Sequence, residues 1–290
     1  MPVMTLEMML KELEQDRSLH KPDQLRQRIE ALDRLETCLI HTPSEGEGTE
    51  SARLRQAQTR SANLEAINQE LYESIRRKIQ QGAGDGGLYE WATASGEVGR
   101  PLDQLNGVGY DYLDVLVSGT LQFEEPDESI ASLMPEMVFY QPTPARYVFD
   151  LIRQAALKKG DVLVDLGSGL GHVSLLTAIC TPAHCIGIEF EGAYVACARK
   201  SARALNVSNV TFIQQDARSA DLSSGTVFYL YTPFTGTILR DVLDKLKREA
   251  VDRKIRVCTL GPCTLIVRDE SWLEAIGMPE IDQITVFRSV

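Results

Sequence analysis

What this chain has little of narrows the reading first. Its six cysteines (Cys38, Cys180, Cys185, Cys197, Cys258 and Cys263) include no C-x-x-C pair, and its four histidines are scattered, so no metal site is expected. Most of those cysteines fall in apolar runs, as buried thiols do, which points to a reducing, cytoplasmic setting. No apolar run approaches the length that spans a bilayer, and Met8-Met9-Leu10 is too short for a secretory signal core. Clusters of Lys and Arg are also missing. The net charge is -11, and the acid is concentrated at the front: residues 1–139 hold 13 basic and 25 acidic side chains, residues 140–290 hold 17 and 16. A strongly held nucleic-acid backbone is therefore not expected as a partner, although a local basic patch formed in the fold would be compatible with RNA.

What is present is concentrated in one stretch. At 290 residues and 43% hydrophobic the chain can bury a sizeable core, as one large domain or two. The run Val162-Leu163-Val164-Asp165-Leu166-Gly167-Ser168-Gly169-Leu170-Gly171-His172-Val173 reads as a buried strand, a tight turn and the start of a helix. Glycines in such a turn let a ligand approach the backbone, and the helix start adds free N–H groups and a positive dipole end. The spacing is G-x-G-x-G with Asp165 two residues before the first glycine, which differs from the dinucleotide pattern G-x-G-x-x-G. An acid at the strand end suits a cation and would repel a phosphate.

Three further strands follow in a β/α alternation. Ile186–Phe190 contains the acid Glu189, Val210–Asp216 ends in Asp216, and Thr226–Phe234 runs into the loop Tyr231-Thr232-Pro233-Phe234. Acids at successive carboxyl ends lie where open α/β sheets bind ligands. In motif and order this half resembles the class I S-adenosylmethionine-dependent methyltransferases. The resemblance covers about residues 140–290 and implies a Rossmann-like, doubly wound, mostly parallel α/β sheet. It implies S-adenosylmethionine as cofactor, held by Asp165, Gly167, Ser168, Gly169 and Gly171. Glu189 would take the ribose hydroxyls and Asp216 the adenine amine, while Tyr140 and Thr143, from the segment before the first strand, would touch the methionine end. The same resemblance places the acceptor at the fourth-strand loop, with Tyr231 first among catalytic or substrate-side candidates, beside Pro233 and Phe234.

The motif also resembles that of the non-SET histone-lysine methyltransferases more distantly, but His172 stands where that group has Gln, and its Asn-rich loop is absent. The tetrad for amino-group methylation of adenine is likewise absent. Pro262-Cys263 follows an expected fifth strand, Ile255–Leu260, and there a buried cysteine competes with a nucleophilic one.

Residues 1–139 lie outside the resemblance and read as an N-terminal all-helical region. Leu6, Met9, Leu10 and Leu13 form one apolar stripe, and Leu25, Ile29, Leu32, Leu35 and Leu39 another, with Asp23 as first-turn acid of the second helix. A linker is expected over 42–50 and a helix over about 51–81. Gly82–Gly87 formally matches a phosphate-loop spacing, but it follows a helix and is expected to be a loop. The acid run Glu124–Glu128 reads as a solvated loop or as a rim for a basic substrate. Thr143 and Pro144 are expected to start a helix over Ala145–Leu157, Thr143 as its cap. At the far end Thr264–Val267 is the candidate first strand of a terminal hairpin.

Composition favours a protein side chain or small molecule over nucleic acid as acceptor. Pairing of the N-terminal helices into a homodimer fits the apolar stripes as well as simple packing does. A cofactor-binding scaffold without catalysis is the competing reading, and a nicotinamide oxidoreductase is disfavoured by the glycine spacing.

Overall fold

A computed structural model describes residues 5–40, 49–94, 110–124, 126 and 135–290. Two compact units divide the chain, Met1–Ser74 and Ile75–Val290. Packing thus places the boundary inside a helix, well before the change in composition at 139/140. Residues 42–48 of the expected linker, and 125, 127 and 128 of the acid run, lie outside the described residues, while 49 and 50 already belong to a helix.

The first unit is helical: α1 (Leu6–Gln15), a 3-10 turn at Arg17–His20, α2 (Leu25–Ile40) and most of α3 (Thr49–Gln80). Its core is the expected apolar stripe, with Leu6, Met9, Leu10, Leu13 and Leu35 buried around Leu64. Asp23 sits in the turn before α2 and not in its first turn. A fully buried cation, Arg28, is accommodated because it donates to Asn68 Oδ1 (2.6 Å) and to the Leu19 carbonyl (3.0 Å).

The second unit adds α4 (Leu88–Ala94), α5 (Tyr112–Leu121) and α6 (Ala145–Ala155) to an α/β sandwich. The glycine cluster 82–87 is the turn between α3 and α4, and Asp85 accepts there from Gly87 N (3.0 Å) and Tyr89 N (2.8 Å). Strands β1 (Val162–Leu166), β2 (His184–Glu189), β3 (Val210–Gln214), β4 (Val227–Leu230), β5 (Arg256–Thr259), β6 (Leu273–Ile276) and β7 (Thr285–Ser289) alternate with α7 (His172–Cys180), α8 (Gly192–Ala204), α9 (Gly236–Asp252) and α10 (Cys263–Arg268). The sheet order is β3-β2-β1-β4-β5-β7-β6, with β7 antiparallel to both neighbours. It is the Rossmann-like, doubly wound arrangement expected. The strand order reverses between β1 and β4, and a ligand crevice belongs outside the carboxyl ends of the strands at such a point. The central strands β1 and β4 are almost wholly buried, and their residues are mostly apolar. Val164, Leu166, Phe228, Leu230 and Val257 are buried with Leu243 and Leu246 of α9, at about 2 kcal/mol for each fully buried side chain.

Two local expectations are corrected. Thr264–Val267 is helical within α10, and the terminal hairpin is formed by β6 and β7. Thr143 does not cap α6; Pro144 is the cap residue, and the free Ala145 N–H donates to Asp114 Oδ1 of α5 (2.7 Å). Asp114 also accepts from Asp111 N (2.7 Å), closing a capping box on its own helix. One carboxylate thus ties two helix starts.

Candidate functional site

Outside the carboxyl ends of β3, β2, β1 and β4 lies a cavity of about 880 Å³, toward the large end of the ~300–1,000 Å³ typical of small-ligand pockets. Its wall contains ten of the twelve residues singled out from the sequence: Tyr140, Thr143, Asp165, Gly167, Ser168, Glu189, Asp216, Tyr231, Pro233 and Phe234. Gly169 and Gly171 stand behind the wall, for a packing reason. At Gly171 (φ +86°), the first-turn cap of α7, a Cβ would come within 2.6 Å of the Phe212 ring, so this glycine seats the helix on β3. At Gly169 (φ +52°) a Cβ would overlap the Tyr140 ring. The middle glycine makes room for Tyr140, which is what reaches the cavity.

The β1–β3 side of the cavity is acidic. Asp165 is only 3% exposed and accepts a hydrogen bond from Ser174 Oγ of α7 (3.0 Å). Burial, reinforced by the charge of Glu189, pushes its pKa up to about 7. Glu189, at the end of β2, accepts from Gly169 N and Glu191 N, both at 2.8 Å, and burial raises its pKa as well. Asp216 differs. It is clamped by Arg218, whose guanidinium (2.6 Å) and backbone N–H (2.9 Å) hold its carboxyl below the usual range. Ser168 is 6% exposed, and its hydroxyl is a buried polar atom without a hydrogen-bond partner among the described residues. Such an orphan in a cavity wall is a natural ligand contact.

The segment before α6 crosses to the other side. Tyr140 Oη lies 2.9 Å from His172 Nδ1, and its ring packs on Tyr194 (centroids 4.9 Å). The His172 ring in turn lies on Phe123 (3.7 Å). Burial drives the pKa of His172 down to about 4, so it is neutral at ordinary pH. Thr143 Oγ1 meets the buried Tyr229 hydroxyl at 3.2 Å. The β4–β5 side is formed by the β4 loop and is uncharged among the described residues. Thr232 adopts φ +43°, held by its hydroxyl donating to the Leu260 carbonyl and accepting from Cys263 N (both 3.2 Å). Tyr231 on one side and Pro233 and Phe234 on the other are thereby turned toward the cavity. Cys263 is not: it is 1% exposed, its thiol lies 3.5 Å from the Leu260 carbonyl, and burial raises its pKa.

Sequence reasoning missed Phe190, Tyr194 and Gln215, all in the wall, and the role of His172 beside Tyr140. Phe190 carried a usable signal, an aromatic directly after a strand-end acid. Tyr194 carried none, because which face of α8 turns inward depends on the sheet. Among the described residues no group of His, Cys, Asp or Glu is arranged to hold a metal ion, and no helix is long and apolar enough to cross a membrane.

A family model described as a methyltransferase domain matches residues 157–245. Among curated proteins the chain is 31% identical over 153 residues to a 23S rRNA (uracil(747)-C(5))-methyltransferase of Pyrococcus horikoshii, covering 52% of this chain and 33% of the relative. It thus spans about a third of the length of the curated protein it matches. Among solved structures, an RNA methyltransferase from Salinibacter ruber in complex with S-adenosyl-L-homocysteine is 27% identical, with 51% of this chain and 92% of that one covered and a TM-score of 0.40. The Pyrococcus abyssi tRNA (uracil-54, C5)-methyltransferase, also in complex with S-adenosyl-L-homocysteine, is 17% identical over 52% of this chain and 40% of that one, with a TM-score of 0.37. The acid-then-G-x-G-x-G turn and the domain match thus mark residues 157–245 as a methyltransferase domain, set in a sheet with Rossmann-like strand order.

Proposed function

We propose that the protein transfers a methyl group from S-adenosylmethionine to a nucleophile admitted on the β4–β5 side of the cavity. The observation that carries this reading is the pair of buried carboxylates, Asp165 and Glu189, set beside the orphan Ser168 hydroxyl in one wall. Those groups fit the cofactor's chemistry. Asp165 would face its ammonium group, Glu189 and Ser168 its ribose, and Asp216 its adenine amine, with Tyr140 and Thr143 at the methionine end. When bound, the cofactor supplies a methyl group on a sulfonium, ready for in-line displacement. The chain's own contribution is then to orient the acceptor and exclude water. Tyr231, Pro233 and Phe234 serve as the orienting wall, and Tyr231 is no base at neutral pH, since burial raises its pKa.

The curated relative's name specifies uracil C5 of an rRNA. That brings a nucleobase among the acceptors to consider, against the preference drawn from composition. Attack through a thiolate is not part of the proposal, because the Cys263 thiol is directed into the core. A nitrogen or oxygen atom that attacks directly fits the wall better.

Calorimetric titration with S-adenosylmethionine, S-adenosylhomocysteine and NAD tests the reading. Micromolar binding of the first two and none of NAD is expected; silence with both sulfur compounds would overturn it. In the same titration Glu189→Ala should weaken S-adenosylhomocysteine by about 1–3 kcal/mol, the effect of leaving a buried polar partner unpaired.

A further inference from the structure

Residues 135–140 form a strap along the mouth of the cavity, pinned along its length. Glu136, at φ +71°, places its carboxylate on the start of α9, accepting from Thr237 N (2.9 Å), Ile238 N (3.1 Å) and Thr237 Oγ1 (2.8 Å). Its carbonyl accepts from Thr235 N (2.8 Å). Met137 bridges Phe234, and Val138 N donates to the Pro233 carbonyl (3.2 Å). Tyr140 is fixed by His172 and Gly169, as described above. Between two pinned neighbours stands Phe139, in the cavity wall and yet 85% exposed. A large aromatic side chain held in water at a cavity mouth marks a contact surface. The same wall also holds Tyr231, Pro142 and Pro233, flat or aromatic faces whose polar groups are hydroxyls and carbonyls.

We propose that Phe139 is the stacking platform for the methyl acceptor, and that the acceptor presents a nucleobase. The inference rests on the methyltransferase reading of the same cavity and adds to it a substrate class and a specificity-determining residue. Base-on-aromatic stacking tolerates any base and does not require cationic side chains at the site of chemistry. It is therefore compatible with an acidic chain whose described cavity wall holds Asp165, Glu189, Glu191 and Asp216 and no Lys or Arg. The base could come from a free nucleoside or from a strand with its phosphates outside the cavity.

The test uses full-length protein saturated with S-adenosylhomocysteine and titrated with adenosine, cytidine, single-stranded hexanucleotides of the same bases, and N-acetyl-lysinamide. Binding of the nucleosides or the hexanucleotides, and not of the lysine analogue, is expected; the tighter of the two forms identifies the source. Phe139→Ala should weaken base binding by about fivefold or more, the lower end of what one stacked aromatic supplies. It should leave S-adenosylhomocysteine affinity unchanged, and Phe139→Trp should restore base binding. Preference for N-acetyl-lysinamide, or base affinity indifferent to Phe139→Ala, would overturn the proposal. Cofactor binding without any base binding would remove the acceptor assignment alone, whereas absence of S-adenosylhomocysteine binding in the wild type would remove both.

Discussion

Asp165→Asn is expected to make the protein more stable and the cofactor site nearly useless. In the folded chain this carboxylate is buried and titrates near pH 7, against an ordinary value of 3.8. The folded state therefore holds the proton more tightly than the unfolded chain. The contribution of this one group to stability is fully present below about pH 4, declines as pH rises between the two values, and is lost above about pH 7. Keeping the group ionised at pH 8 in a site that protonates near 7 costs the fold up to about 4 kcal/mol. Asparagine keeps the shape and can accept the Ser174 hydrogen bond without carrying the charge. Thermal unfolding of the ligand-free variant should rise at pH 8 by about 5 °C or more, and hardly change at pH 4. Binding should move the other way. A cationic ammonium group loses a charged partner, about tenfold to a hundredfold in affinity. In the wild type, affinity should fall as pH is lowered from 7 to 5, because the carboxyl must lose its proton to pair with the cation. Equal affinity of Asp165→Asn and wild type would disprove the assignment of Asp165, and an unchanged melting temperature at pH 8 would disprove the buried charge.

Gly169→Val should abolish S-adenosylhomocysteine binding through a neighbour. The residue sits at φ +52°, strained for any side chain, and its Cβ would occupy the space of the Tyr140 ring. Holding a non-glycine residue there costs about 1–3 kcal/mol, tolerable in a domain of this size. The ring, however, must move, and with it the contacts to His172 and Tyr194 and the strap that continues from it. A loss beyond a hundredfold is expected, with far-ultraviolet circular dichroism retained. Tyr140→Phe is the informative companion, since it keeps the ring and removes only the hydroxyl contact to His172. Near-normal binding by Gly169→Val would show that the Tyr140 wall is dispensable.

These two residues also show what was legible from the chain alone. Strands β1 to β4 stood out because their interiors read as mainly apolar runs, and the acids Asp165, Glu189 and Asp216 at the ends of the first three mark the sheet edge. The failures share a different physics. Thr264–Val267 looks like a strand by composition, yet a four-residue apolar run does not distinguish the two states. In the fold its first turn is tied back to the end of β5 by the contact between the Thr259 and Thr264 hydroxyls (2.8 Å). Leu273-Glu274-Ala275-Ile276 has modest strand propensity and pairs because β7 is there to receive it. The donor-satisfying cap of α6 lies at Asp114, 31 residues away, and the anchor of the strap at Glu136 closes on Thr237, 101 residues away. Separations of that kind leave no local trace. Phe139 was missed for the same reason, since only the pinning of its neighbours makes its exposure meaningful.

The hydrogen bonds of Glu189 carry a consequence for speed as well as affinity. One oxygen holds the β1–α7 turn through Gly169, the other holds the β2–α8 turn through Glu191, and both are engaged before any ligand arrives. Each oxygen retains lone pairs for sugar hydroxyls, so a ribose would dock on a cradle already assembled. Little ordering entropy remains to be lost on encounter. Cofactor exchange should then be governed by how fast the old molecule leaves, and a variant that loosens either turn would show itself first as slower capture.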